Sequence, residues 1–261
     1  MKRLLFYVLL FVSFGAFSQE KNAFKIFYKY HYLKDSADVY SQKSDTMVLE
    51  TKPKCSVFYS HLRKVGDSIF NKDKENGIDQ MTLLMNRYKY HLDKNAYRIT
   101  KDFVKDTLIF YDEILAEAYQ YTEKIPTIHW SIEDEKDYLL GYSVRKAKGR
   151  FAGRDYVAWF SEEIPVPDGP YKFNGLPGLI LKIEDTKKQF LFEAVALQAL
   201  NSFQVWEKAK PVNTSKKKYA ELKERASKDL VQYINTSTEV KITPTSPHKR
   251  PQKPYNPIEL E

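Results

Sequence analysis

Residues 138–160 (YLLGYSVRKAKGRFAGRDYVAWF) and 179–198 (LILKIEDTKKQFLFEAVALQ) decide the fold. The run 138–148 meets a turn from Gly149 to Gly153, and 154–160 (RDYVAWF) comes back along it. Leu179, Leu181 and Ile183 line one face of the next run, and a tight turn at Asp185–Lys188 returns the chain through 190–198. Strands parted by two to five turn residues pair as antiparallel hairpins. A parallel sheet needs long, usually helical, crossover connections, and no long helical crossover lies between residues 127 and 198. The acidic stretch 133–137 (EDEKD) reads as a charged turn leading into residue 138.

The same period continues toward the N-terminus. In 24–33 (FKIFYKYHYL), Phe24, Ile26, Tyr28 and Tyr30 share one face, which predicts a strand with that face buried. Residues 45–50 and 54–60 give two more strands around a turn at Lys52-Pro53, and 96–100, 106–114, 118–123 and 127–132 give four others. The expected architecture is mainly β: a large, curved, half-barrel-like antiparallel meander around an apolar interior. Two helices accompany it. Ile78, Met81, Leu84, Met85 and Tyr88 recur at helical spacing, so one short helix is expected in 78–90, after a polar loop at 71–77 (NKDKENG). Tyr219, Leu222, Ala226, Leu230 and Tyr233 form the stripe of a C-terminal amphipathic helix over 215–234, with Ser215 as its N-cap.

The ends set the compartment. Lys2 and Arg3, an uncharged apolar run from Leu4 to Phe17, and small residues at Ala16 and Ser18 have the layout of a signal peptide cut between Ser18 and Gln19. The run is too short for a membrane span, which needs ~20 apolar residues. Three parts follow: a leader (1–18), a single β-rich domain (19–243), and a basic tail (244–261) with prolines 244, 247, 251, 254 and 257, expected to be flexible or surface-docked. The expected destination is the periplasm or the outside, with no transmembrane segment after cleavage.

Composition removes several functions. Net charge falls from +8 to +6 when Lys2 and Arg3 leave, and the basic residues are interleaved with acids. That is not the concentrated basic face that nucleic acid requires. Cys55 stands alone, so the chain forms no intramolecular disulfide. Histidines 31, 61, 91, 129 and 248 lack the close spacing of metal ligands, and no Gly-x-Ser-x-Gly or phosphate loop is present. No metal, cofactor or catalytic residue is expected.

The segment 161–178 (SEEIPVPDGPYKFNGLPG) stands out, with four prolines and three glycines between strong strands. Ordered connections of this length tend to carry function. Trp159, Tyr171, Phe173 and Leu176 anchor it, and with Asp168, Gly175, Pro177 and Gly178 they are the candidate binding residues. A lid that only closes the end of the sheet is the alternative.

Here the chain resembles the GLPGLI family of exported bacterial proteins, through GLPGLI (175–180) itself. The likeness extends to GYSVRKA (141–147), FAGRDYVAWF (151–160), IPVPDGPYKF (164–173), LKIED (181–185) and the closing NPIELE (256–261). Many members carry a cysteine near the position of Val144. Its absence here argues that a thiol role is not universal. The resemblance implies export and one β-rich domain; it supplies no substrate and no catalytic residue.

Together these features point to a non-enzymatic binding or assembly protein of the cell envelope, whose concave face holds an apolar ligand, a lipid or a partner's segment. A hydrolase built from Asp168, Glu162 or His129 is the competing expectation, and a structural component docked by its tail is the third.

Overall fold

In the computed structural model, residues 23–86, 88–91, 94–115, 117–200, 202–203, 210–237 and 255–260 are described. The leader expected at 1–18 and the tail up to residue 254 lie outside them. The first half of the chain supplies β1 (Phe24–Leu33), β2 (Gln42–Lys52), β3 (Cys55–Ser60), β4 (Arg98–Asp102), β5 (Thr107–Ile114) and β6 (Glu117–Lys124). The second supplies β7 (Trp130–Leu139), β8 (Tyr142–Phe151), β9 (Arg154–Ser161), β10 (Leu179–Asp185), β11 (Phe190–Ala199) and the short β12 (Val212–Asn213). All twelve form one open sheet in the order β12-β6-β5-β4-β3-β2-β1-β11-β10-β9-β8-β7. It consists of two antiparallel meanders, β1–β6 and β7–β11, joined where β1 pairs with β11. The two-residue β12 lies parallel on β6.

Register places the apolar residues on one face. Tyr28 lies opposite Met47 and Ala194, Leu49 opposite Phe58, Phe58 opposite Ile99, and Phe110 opposite both Ile99 and Tyr121. This face is concave. Three strand spacings of about 4.8 Å separate β3 from β11 along the sheet. Yet the Phe58 and Phe192 ring centroids are only 5.9 Å apart, so their side chains converge. Irregularities at Phe27/Tyr28 in β1 and Ile180/Lys182 in β10 add local bend. On the convex face Val48, Val57 and Tyr59 form a smaller buried cluster under Phe27 and Phe203.

Four helices are present among the described residues, where two were expected: α1 (His61–Glu75), α2 (Gln80–Met85), α3 (Lys216–Lys228) and α4 (Leu230–Ser237). The unexpected α1 starts where the Ser60 hydroxyl accepts from the Arg63 N–H, and it absorbs most of the polar run 71–77. It stops at Asn76 before Gly77, whose φ of +82° ends a helix at no steric cost. Gly66 lets it pack closely, since a Cβ there would stand 1.8 Å from the Tyr90 carbonyl oxygen. The helix expected over 78–90 shrinks to six residues, and its supposed core face is exposed at Met81, Met85 and Tyr88. Leu83 and Tyr90 are buried instead.

The acidic stretch 133–137 is strand, not turn. It belongs to β7, the edge strand, where Glu133 and Glu135 pair with Lys146 of β8, and Glu133 also with Lys148. Charge on an edge strand keeps it from pairing with other chains. The turn falls at Leu140-Gly141, both with positive φ. The C-terminal stripe is broken at Asp229, whose extended backbone separates α3 from α4.

Candidate functional site: an aromatic cleft beside a buried plug

The segment between β9 and β10 turns inward. Ile164, Val166, Asp168, Tyr171, Phe173 and Leu176 are buried in the concavity, while Gly175 and Pro177 stay outside. The Phe173 ring sits 4.7 Å from Tyr156 and 5.3 Å from Phe151, so the interior under GLPGLI is filled by side chains. The segment is a plug. At Gly178 it passes so close to the end of β9 that a Cβ would stand 2.0 Å from the Ser161 carbonyl oxygen. Gly175, with φ of +90°, takes the left-handed turn.

Two buried lysines fasten the plug. Lys101 of β4 and Asp168 are both 0 % exposed, with Nζ and Oδ1 2.5 Å apart. The same ammonium donates to the Gly169 and Phe173 carbonyl oxygens, each at 3.1 Å, so its three hydrogens are all placed. Burial pushes the Lys101 pKa down, and the facing Asp168 carboxylate opposes that. Lys172, 1 % exposed, lies 2.5 Å from Glu123 and 2.6 Å from Glu259, and donates to the Tyr121 hydroxyl at 3.0 Å. Its charge also faces the rings of Phe110, Tyr121 and Tyr171, 5.2–5.7 Å from their centroids.

Beside the plug opens a cleft of about 1750 Å³ between the sheet, α1, α3 and the chain's C-terminal segment. Tyr30, Tyr97, Phe110, Tyr121, Tyr171 and Tyr219 line its floor and walls. Several rings stack on one another: Tyr30 on Phe192 at 4.2 Å, Phe110 on Tyr121 at 4.9 Å, Tyr97 on Phe110 at 5.9 Å. The Tyr97 hydroxyl oxygen is buried with no hydrogen-bond partner among the described residues. Burial holds the Tyr30, Tyr97 and Tyr171 hydroxyls protonated by pushing their pKa values well up. At the α3 side, Asp112 accepts from the Tyr219 hydroxyl and from Lys223 at 2.5 Å, which ties α3 to β5.

Residues 255–260 run along the cleft. The Glu259 carboxylate takes Lys172 and Lys216, each at 2.6 Å, and the Tyr171 hydroxyl. Burial alone would raise its pKa, but the two ammonium groups outweigh it and hold Glu259 below the usual carboxylate range. Arg154 donates to the Asn256 side chain at 2.7 Å and to the Pro257 carbonyl oxygen at 2.8 Å. The Leu260 N–H donates to the Ala152 carbonyl oxygen at 2.9 Å. The end of the expected tail is therefore a docked strip.

Of the residues picked from sequence, Tyr171 lines the cleft. Asp168, Phe173 and Leu176 lie within the plug, Gly178 at its closing turn, and Gly175 and Pro177 on its outer side. Trp159 lies half-buried on β9 with the Lys146 ammonium 5.8 Å from its ring. Asp168, Glu162 and His129 do not form one cluster: Asp168 is sealed against Lys101, while Glu162 pairs with Arg145 at the surface and His129 is exposed. Among the described residues, no group of three or more His, Cys, Asp or Glu side chains is placed to hold a metal. Sequence reasoning passed over Lys101, Lys172, Tyr97 and Glu259.

Residues 151–182 match a family described as "Protein of unknown function (Porph_ging)". That stretch runs from the last residue of β8 through its turn, β9 and the plug to the start of β10. No curated protein matches the chain. Among solved structures it is similar to PNGF-II in two crystal forms. The P21 form has a TM-score of 0.53 at 12 % identity, over 77 % of this chain and 32 % of that one. The C2 form has the same score and identity over 76 % and 32 %. The chain spans about a third of the length of PNGF-II, and at this identity the likeness shows the fold alone.

Proposed function

We propose that the protein is exported and serves as a non-enzymatic binding or assembly protein of the cell envelope, with the aromatic cleft as its binding site. The observation that carries this is the open cleft of about 1750 Å³ walled by tyrosine and phenylalanine beside an interior that is otherwise filled. Ligand sites are concave, mostly apolar, and carry a few placed polar groups. The described chain fits that pattern with its aromatic rings, the buried Tyr97 hydroxyl and the ammonium group of Lys216. Its occupant is an apolar ligand, a lipid, or a segment of an envelope partner. The leader supports export, and no helix among the described residues is long and apolar enough to cross a membrane.

The test is titration of the mature chain with N-phenyl-1-naphthylamine, a neutral apolar probe that brightens out of water. Saturable binding near one probe per chain, displaced by envelope lipids and weakened by Phe110→Glu, is expected. No saturable binding, together with a bare protein in native mass spectrometry, would remove the reading. Intact mass of the exported protein checks the cut before Gln19.

A further inference from the structure

The docked strip has two unequal halves. Its receptor groups belong to the core: Tyr121 and Tyr171 are part of the main buried cluster, and Lys172 is tied to Glu123 and the Tyr121 hydroxyl of β6. The strip does not. Residues 255–259 are only partly buried and Leu260 is 54 % exposed, so none of the six belongs to the fully buried core. Removing the strip leaves Lys172 with Glu123 at 2.5 Å and the Tyr121 hydroxyl at 3.0 Å, so the receptor keeps its own supports. The strip's polar contacts also have a generic character. They use one carboxylate, one side-chain amide, the Pro257 and Ile258 carbonyl oxygens and the Leu260 N–H, which an extended peptide of similar pattern presents equally.

We infer that Lys172, Lys216 and Tyr171 form a carboxylate receptor through which the cleft takes an extended acidic segment of a partner protein, residues 255–260 filling that place in its absence. The inference rests on the cleft being a binding site and names the chemistry of its occupant. Charge complementarity supports it. The Glu259 carboxylate is held by two ammonium groups at 2.6 Å, while Lys172 is enclosed by three aromatic rings that exclude water. A charge-assisted contact of this kind selects a carboxylate over its amide. A tethered segment competes at a high effective concentration, so a partner must outbid it or the tether must first be weakened.

The experiment uses the full mature chain and a labelled peptide of residues 252–261 (QKPYNPIELE), followed by fluorescence anisotropy. The unaltered chain should bind weakly. The Glu259→Gln chain, checked for an unchanged circular dichroism spectrum, should bind the peptide about ten- to a hundredfold more tightly. A peptide with Gln in place of that Glu should lose the gain, and so should Lys216→Met in the Glu259→Gln chain. Equal binding of the Glu and Gln peptides, or no binding to the Glu259→Gln chain, overturns the inference. If the apolar probe still binds in that case, the cleft reading stands and only the peptide falls. A dimer of the unaltered chain in sedimentation, lost in Glu259→Gln, would overturn the separate partner in favour of a second copy.

Discussion

Replacing Asp168 with Ala should be among the most damaging single changes in this protein, and its cost follows from the geometry. Lys101 and Asp168 are both 0 % exposed, and the ammonium spends its three hydrogens on Asp168, Gly169 and Phe173. Without the carboxylate, two carbonyl oxygens remain and the charge has no counter-ion. Breaking a buried pair by removing one partner costs about 3–5 kcal/mol. For a domain of this size that corresponds to a fall in Tm of roughly 6–20 °C. Lys101 should then shed its proton, since burial already pushes its pKa down and only Asp168 opposes it. A lysine depressed in the folded state binds fewer protons there than when unfolded. The variant therefore gains stability as pH rises toward the ordinary lysine value of about 10.4. The double variant Lys101→Met/Asp168→Ala removes both charges and should recover most of the loss. Denaturant unfolding of the four proteins in the cycle, at pH 7 and 9.5, measures this. A single-variant cost below about 1 kcal/mol, or additive singles, would refute the account.

Gly178→Ala would put a Cβ 2.0 Å from the Ser161 carbonyl oxygen, so the end of β9 must move. A loss of roughly 3 kcal/mol or failure to fold is expected, read by denaturant unfolding. Glu259→Gln should cost about 1–3 kcal/mol at pH 7. Because the Glu259 pKa is depressed in the folded state, its contribution is present above the ordinary value and lost as pH falls through the folded one. The gap between the two proteins should therefore close in unfolding curves taken from pH 7 to 3. Met81→Lys and Met85→Lys, at 66 % and 76 % exposure, should change stability by less than about 0.5 kcal/mol. Leu83→Ala, at 2 % exposure on the same short helix, should cost about 2–5 kcal/mol. Thermal melts of the three separate the two faces.

The hairpins of the second meander were legible because alternation and turn chemistry are local. The turn at Ala152-Gly153 and the strand 154–160 needed nothing from the rest of the chain. Edge position is not local. Glu133–Asp137 has the composition of a turn, and only a lysine-bearing neighbour, Lys146 and Lys148 on β8, makes it a strand. The same holds for α1, whose polar end resembles a loop until the Ser60 cap and the Gly66–Tyr90 approach are known. The plug was readable as ordered from its prolines, glycines and aromatic anchors. The direction it faces was not. Lys101 lies two residues from Ile99 in RITKD, so the strand period itself put a lysine on the inward face. Its partner is 67 residues away, beyond any spacing rule.

That partner links the plug to the cleft. One short turn carries Asp168 and Lys172, and the pairs they form reach two different strands: Lys101 on β4 and Glu123 on β6. Between them stands Tyr171, a cleft wall, with a φ of +53° that a tyrosine seldom adopts. Anchors on either side hold it in that conformation, so the wall is set before any ligand arrives. Loosening one anchor should then weaken binding at a distance, because the ligand must also order the wall. Ordering a side chain on binding costs about 0.5–1.5 kcal/mol, and Tyr171 would be released while Lys172 keeps Glu123 and the Tyr121 hydroxyl. Asp168→Asn, which removes the charge and keeps the shape, should thus reduce N-phenyl-1-naphthylamine affinity by between about two- and twelvefold, although Asp168 does not line the cleft. The measurement belongs below the variant's unfolding transition, where circular dichroism shows it folded. Unchanged probe affinity there would mean that the pair fastens the plug without shaping the site.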